Sequence, residues 1–317
     1  MGRSIAEHAN RMRVAIESGE AARSLVVASW RRCAEVYRLD PASSQPREAV
    51  SASELRDAIE RASDFLVSCD GAVDRLRHTF AGSRACILIT GADGVPVIWS
   101  GQDADAESLR AWGLWPGFDW CEERGGTNGI GTCLVERRPV SIHGEDHFYP
   151  QSFDIGCSAA PLFDHEGNLA GALNVTLYGR TAGSVLPGLA LAAVVDAARQ
   201  MEADHFHRVF ARCRILSFPG SRSGSALLAV DEDDVVVGAT RVARAMFDFG
   251  DDELRRGVCA SDLVEGAADG LARAERAVIR RTLVRLNGNV SASASALDVS
   301  RATLKRKIRQ HGLGRRR

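Results

Sequence analysis

A chain of 317 residues has room for two or three domains of about 100 to 200 residues each. Its 45% hydrophobic and 26% charged residues are ordinary for a globular protein, no run of about 18 apolar residues offers a membrane span, and the polar opening MGRSIAEHANRMRVAIESGE is not a signal peptide. The net charge of −1 conceals a split: residues 271–317 hold 13 Lys and Arg against 2 Asp and Glu, and the rest holds 27 against 39.

Residues 21–38, AARSLVVASWRRCAEVYR, carry apolar side chains at helical spacing (Leu25, Ala28, Trp30, Cys33, Val36) and predict an amphipathic helix. LDPASSQP breaks it, and a second helical stretch follows over 51–80. The period then changes. ACILITGADGVPVIWSG (85–101) predicts two strands around a turn, RRPVSIHG a short strand, and CSAAPLFDHEGNLAGALNVTLYG (157–179) two more strands around DHEGN. Residues 187–210 predict a long helix with a proline near its start. Together these elements predict one α+β domain, an antiparallel sheet with helices packed on one side. SFPGSRSGS (217–225) has the composition of a linker. ALLAVDEDDVVVGATRVARAMFDFGDDELRRG then predicts strand, acidic turn, strand and helix, a span of about 40 residues that is small for an independent domain.

The basic terminus has helical periodicity of its own. A helix is expected over 271–286, a second over 291–297 capped by Ser291, and a third from Arg301 to Gln310 capped by Ser300. Leu304 and Ile308 are expected to face a core, with Arg301, Thr303, Arg306, Lys307 and Arg309 opposite. Charge, period and turn chemistry agree on a helix-turn-helix whose third helix enters a major groove. The expected DNA-contacting set is Ser300, Arg301, Thr303, Lys305, Arg306, Lys307 and Arg309. Arg301 and Arg306 suit guanine edges, while Thr303, Lys305, Lys307 and Arg309 suit phosphates. The alternative is a small helical dimerisation unit with a solvated basic face.

The glycine run GGTNGIGT (125–132) raises the question of a phosphate loop. The only lysines are Lys305 and Lys307, so no lysine follows the run as a P-loop requires. Its order is G-x-x-G-x-G rather than the dinucleotide G-x-G-x-x-G. A Schiff-base lysine in the body is excluded as well. The eight cysteines (33, 69, 86, 121, 133, 157, 213, 259) form no C-x-x-C pair. That spacing argues against a disulfide framework and suits a reducing cytoplasm. His143 and His147 stand four apart, but the intervening Gly144 and the missing H-E-x-x-H order leave no metal site expected. DHFH (204–207) reads as a solvated helix face.

These motifs carry a family resemblance. GTNGIGT (126–132), EDHF (145–148), CSAAPLFD (157–164) and GNLAGALNVT (167–176) closely resemble the GAF sensor domain of acetoin-catabolism-type regulators, among the sigma-54-dependent activators of bacteria. SWRRCAEVYRLDP (29–41) looks like the start of such regulators, ALLAVDEDDVVVGATRVAR like the reduced PAS-like segment after their GAF domain, and NGNVSASASALDVSRATLKRKIRQHGL like a Fis-type helix-turn-helix. Asp298 departs from the usual turn glycine, a position where Asp tolerates the left-handed conformation. Family members usually carry an AAA+ ATPase between sensor and DNA reader; here the PAS-like residues alone fill that interval.

The resemblance implies a multidomain α+β architecture: an N-terminal helical region (1–75), a GAF-type sensor domain with antiparallel sheet and flanking helices (76–212), a linker (213–224), a PAS-like segment (225–266) and an all-α Fis-type helix-turn-helix (271–317). In that frame the glycine loop turns the chain tightly and starts a helix, and this structural role outweighs ligand contact. Aromatics cluster around it (Trp99, Trp112, Trp115, Trp120, Phe148, Phe153) and, with a few polar groups, suit a small organic effector, although each is also an ordinary core aromatic. The candidate ligand contacts are Trp99, Trp120, Cys121, Thr127, Asn128, Thr132, His147, Phe148 and Cys157. The expected partners are double-stranded DNA, an unknown small-molecule effector and a second copy, with Leu189, Ala193, Met201 and Val209 as helical dimer contacts. RNA polymerase or an ATPase-bearing relative are further partners; no membrane, metal or cofactor is expected. The expectation is a cytoplasmic regulator without ATPase activity. Its rivals are a partner or antagonist of an ATPase-bearing activator, and a GAF-fold thiol enzyme using Cys121, Cys133 or Cys157.

Overall fold

The computed structural model describes residues 5–43, 48–179, 187–218, 226–248, 250–264, 270–286 and 288–313. Two units divide the chain, the first ending at His205 and the second running from Phe206 and including the turn 165–167. The first opens on α1 (Ile5–Glu17) and α2 (Leu25–Arg31), which continues as a π-turn over Arg32–Val36. The single helix expected over 21–38 is therefore divided, with a 3-10 turn at Glu20–Ala22 and a fresh start where the Ser24 hydroxyl accepts from the Val27 N–H. The stretch 51–80 is likewise two helices, α3 (Ala52–Leu66) and α4 (Asp70–Thr79). Ser51 and Glu54 start α3 as a reciprocal capping box.

Next come β1 (Ala85–Gly91), β2 (Pro96–Ser100), α5 (Ala106–Ala111), α6 (Glu122–Gly125), α7 (Gly129–Glu136), β3 (Val140–His143), β4 (Ile155–Phe163) and β5 (Leu169–Tyr178). The strands pair antiparallel in the order β2-β1-β5-β4-β3. Every residue of β4 is buried, which requires cover on both faces. The expectation of helices on one side is corrected accordingly. One face (Ile87, Ile89, Leu162, Leu173, Val175) packs on Phe65, Leu76, Val194 and Met201 from α3, α4 and α8 (Pro187–Val209). The other (Cys86, Leu88, Cys157, Ala159, Tyr178) packs on Leu109, Ile130 and Cys133 from α5 and α7. Each fully buried Leu, Ile or Val contributes about 1.5–3 kcal/mol.

The long helix does not present the expected dimer stripe. Met201 is fully buried against the sheet and Ala193 packs beside it, while Leu189 and Val209 are exposed. DHFH is not a solvated face either: His205 is buried against the Phe65 ring, 4.9 Å between centroids, and Phe206 is fully buried. The 3.6-residue period places these side chains inward.

In the second unit, β6 (Arg214–Phe218), β7 (Ala226–Val230), β8 (Val235–Ala239) and β9 (Val258–Cys259) form a four-stranded antiparallel sheet in chain order. The expected linker 213–224 thus begins with a strand; residues 219–225 lie outside the described residues. Between β8 and β9 lie α9 (Arg241–Phe247) and α10 (Asp251–Arg256), and α11 (Ala260–Val264) follows. The terminal module is α12 (Gly270–Arg285), α13 (Val290–Ala296) and α14 (Arg301–Gln310) around Ile279, Ala294 and Leu304. Asn289, rather than Ser291, caps α13 by accepting from the Ala292 N–H. Asp298 adopts the left-handed conformation at φ 49°, and Ser300 caps α14. Among the described residues no helix is long and apolar enough to cross a membrane.

Candidate functional site

The glycine loop is a tight turn whose polar groups are consumed locally. Asn128 caps α7, its Oδ1 accepting from the Gly131 N–H at 2.9 Å. Its Nδ2 donates to the carbonyls of Gly126 at 2.8 Å and Trp120 at 3.1 Å. Gly126 sits at φ +63°, and a Cβ there would lie 2.5 Å from that of Phe148. Only glycine meets both demands.

The occupant of the loop is the chain's own N-terminal region. Ser29 of α2 donates to Glu122 Oε1, and its hydroxyl lies 2.7 Å from that of Thr127. Thr132 donates to the same oxygen at 3.0 Å. Arg32 reaches Glu122 with Nε at 2.5 Å and Nη2 at 3.0 Å, and Glu136 with Nη1 at 3.1 Å. Glu122 is 2% exposed, so its charge requires these partners. Burial works against the charge on Arg32, yet Glu122 and Glu136 raise its pKa. Nearby, Trp30 Nε1 donates to the Asp146 carbonyl at 2.9 Å, Arg11 donates to the Glu145 carbonyl, and His8 Nε2 lies 3.3 Å from the Phe148 carbonyl.

The expected ligand contacts therefore divide into three groups. Thr127, Asn128 and Thr132 serve the loop and the N-terminal dock. Phe148 packs with Met12, Val27, Trp30 and Cys33, and His147 is buried with Nδ1 3.0 Å from the Gly144 carbonyl. Trp99, Trp120 and Cys157 meet on the second sheet face, where Trp99 stacks on Trp115 at 4.4 Å. Cys121 is half-buried, and burial with Asp119 pushes its thiol up to about 12. Burial also raises the Cys133 thiol, so neither is the thiolate a nucleophile requires. His143 ends a strand and His147 follows a 3-10 turn, so they share no helix face.

Sequence reasoning missed Ser29, Arg32, Glu122 and Glu136, because partners 90 to 104 residues apart leave no local pattern. It also missed Asn174, buried in the middle of β5 opposite Leu88 and Ala159. Its Nδ2 donates to Thr176 Oγ1 at 2.9 Å, and its Oδ1 has no partner among the described residues. Exchanging the two amide atoms would leave the other one unpaired, so this face keeps one unsatisfied polar position in either assignment. A strand asparagine amid apolar neighbours was the available signal.

On α14, Arg301, Lys305, Arg306 and Arg309 are exposed, and Leu304 on the opposite side is fully buried. Thr303 is half-buried, its N–H donating to Ser300 Oγ at 3.0 Å. Lys307 does not join the outer face. It turns toward α12 and pairs with Glu275, which also holds His311 Nε2 at 3.0 Å. Lys307 and His311 together keep the Glu275 carboxyl below its usual range. Elsewhere in this unit a cleft of about 410 Å³ opens beside Arg212, Arg214, Asp231 and Asp234. Asp234 commits its carboxylate to Arg214 at 2.6 Å, Arg280 at 3.1 Å and the Ser261 N–H at 3.1 Å, and so braces α12 against the small sheet.

Comparison with known proteins agrees with this division. Residues 64–204 match the GAF domain family, and residues 270–311 match the family described as bacterial regulatory protein, Fis family. The acetoin catabolism regulatory protein of Cupriavidus necator is 33% identical over 230 residues, 71% of this chain and 34% of that protein. The acetoin dehydrogenase operon transcriptional activator AcoR of Bacillus subtilis is 26% identical over 205 residues, 65% of this chain and 33% of that protein. The propane 2-monooxygenase operon transcriptional activator MimR of Mycolicibacterium smegmatis is 28% identical over 186 residues, 55% and 29% of the two chains. The chain thus spans about a third of the length of these relatives. Among solved structures, the Escherichia coli DhaR(N)–DhaL complex superposes with a TM-score of 0.52 at 16% identity, covering 71% of this chain and 77% of that one, a likeness of fold. The matched families and relatives are regulators, not enzymes, and only residues 205–269 separate the two matched regions. The chain joins a GAF domain to a Fis-family helix-turn-helix and is similar to transcriptional regulators of the acetoin-catabolism type.

Proposed function

We propose that this chain binds DNA sequence-specifically as a homodimer through α14, senses a small uncharged molecule on the second face of its GAF sheet, and does so without hydrolysing ATP. The observation that carries the DNA reading is the exposed face of Arg301, Lys305, Arg306 and Arg309 on a helix anchored from behind by Leu304. Arginine reads guanine bidentately, and two such helices in a dimer address half-sites about 34 Å apart. The sensing reading is supported by the second sheet face, where Asn174 keeps an unsatisfied polar atom among apolar neighbours. A buried polar atom without a partner favours a guest that completes it. The names of two relatives concern acetoin and propane catabolism, in keeping with an uncharged effector. The small sheet of 214–259 is the reduced PAS-like segment in this reading, and the cytoplasm is the place of action. The lysine census leaves no residue for a P-loop upstream of Lys305.

Fluorescence anisotropy on promoter DNA flanking its own gene, against scrambled DNA at several salt concentrations, tests the reading. A specificity ratio of about 10³ or more is expected, and Arg306→Ala should erase it. Weak binding indifferent to sequence would instead favour a second reading, a partner subunit of an ATPase-bearing relative. That reading draws on the third of their length that the chain shares with such relatives, and mixed-subunit pull-down tests it.

A further inference from the structure

We infer that α7 is a lever between the sensor face and the N-terminal helices, with Gly129 on its sensing side and Thr132 and Glu136 on its responding side. The inference rests on the reading that the second sheet face receives a small molecule.

At 1.5 Å per residue Thr132 lies one turn, about 4.5 Å, along the axis from Gly129, and Glu136 about 10.5 Å. On the sensing side α7 presses against the sheet with no slack. A Cβ built on Gly129 would lie 2.6 Å from Cys157 Cβ and 2.7 Å from Asn174 Oδ1. That oxygen is the buried acceptor without a partner. A hydroxyl that donates to it within hydrogen-bonding distance must lodge against the first turn of α7. The turn then has to yield, because a close-packed contact cannot be compressed.

The responding side of α7 meets the α2 dock. Thr132 donates to Glu122, which accepts from Ser29 and Arg32, and Glu136 accepts from Arg32 directly. Ser29 is fully buried and Glu122 nearly so. A shift of α7 separates Thr132 and Glu136 from their partners together. Arg32 then keeps only its bonds to Glu122 on α6, Ser29 loses the Thr132 hydroxyl 3.3 Å away, and the α2 dock loosens. The Gly-Thr-Asn-Gly-Ile-Gly-Thr motif, in this account, holds the chain's own α2 and loosens that hold when the opposite face is filled. Glu122 and Gly129 are positioning residues for sensing, not ligand contacts.

Hydrogen exchange by mass spectrometry on the full chain tests the lever. Gly129→Ala should imitate occupancy, so exchange across 25–36 should rise at least tenfold while β1 and β5 keep their protection. Arg32→Gln disturbs only the dock, and by reciprocity it should also raise exchange across 127–136. Unchanged exchange across 127–136 in Arg32→Gln overturns the inference, even if Gly129→Ala fails to fold. A panel of small uncharged alcohols, ketones and diols separates the lever from the sensing reading. A compound that raises the Tm without altering exchange across 25–36 sinks the lever alone. If no compound binds and both variants behave as expected, the lever stands and the sensing reading falls.

Discussion

At the scale of single residues, the glycine loop shows what a motif string hides. Its letters suggest a cradle for phosphate, and the missing lysine removes that reading from sequence alone. What the letters do not show is the distance of Gly126 from Phe148, 22 residues on, since such an approach is set by the packed structure. Two substitutions compare an open glycine at positive φ with a crowded one. Gly19 has φ +76° and nothing within 4 Å of a Cβ, so Gly19→Ala carries only the left-handed penalty of about 1–2 kcal/mol. Gly126, at φ 63° and ψ −167°, lies in a region essentially reserved for glycine, and Gly126→Ala adds a 2.5 Å clash, for which overpacking costs about 1–3 kcal/mol more. Urea titration should rank Gly126→Ala below Gly19→Ala; equal midpoints would refute the packing argument. His8 was equally illegible, because a histidine in a polar opening looks solvated. It is fully buried against the Phe153 ring at 4.6 Å. Burial lowers its pKa, with Arg11 acting the same way against the Phe148 carbonyl and Glu145. A depressed imidazole means that the unfolded chain takes up a proton the docked form refuses. Stability is therefore full above the ordinary imidazole value of about 6.5 and is lost as pH falls below it. The Tm should drop between pH 7.5 and 5.5, and His8→Gln should lessen that drop without abolishing it, since burial also lowers His143.

At the scale of elements, periodicity located the strands of the larger sheet and the long helices because it reports burial directly, and it gave no sign of α1, α5, α6, β6 or β9. It failed where a second layer decides. β4 is buried on both faces, so an alternating pattern could not report the helices on each side. α14 makes the point at one residue. Its period puts Leu304 and Ile308 inward, as observed, but Lys307 lies at the margin and is captured by Glu275, 32 residues upstream. Charge pairing across helices is invisible to a period. A lysine already paired releases few counterions on binding DNA. We therefore expect Lys307→Ala to leave the salt slope of DNA binding nearly unchanged, whereas Lys305→Ala makes it shallower. A loss from Lys307→Ala as large as that from Lys305→Ala would return Lys307 to the phosphate face. Leu304→Ala should cost about 2–5 kcal/mol and abolish binding by loosening α14, seen as lost far-UV ellipticity at growth temperature.

At the scale of the whole molecule, the chain holds a five-stranded sheet, a four-stranded sheet and a basic three-helix module in turn, and composition, charge and turn chemistry change sharply between those segments. Electrostatics supplies a measurement that counts subunits. The logarithm of affinity falls with the logarithm of salt by about 0.9 per phosphate neutralised. Lys305 occurs once per chain and is exposed on α14. If one subunit engages the site, Lys305→Ala should reduce the slope by about 0.9; if two subunits engage symmetric half-sites, by about 1.8. The dimer reading requires the larger value at the operator. It also requires the smaller value on a half-site duplex, where one α14 is left without DNA. The same value on both duplexes would mean that each chain reads DNA alone, and a regulator of that kind would draw its specificity from a partner on the promoter.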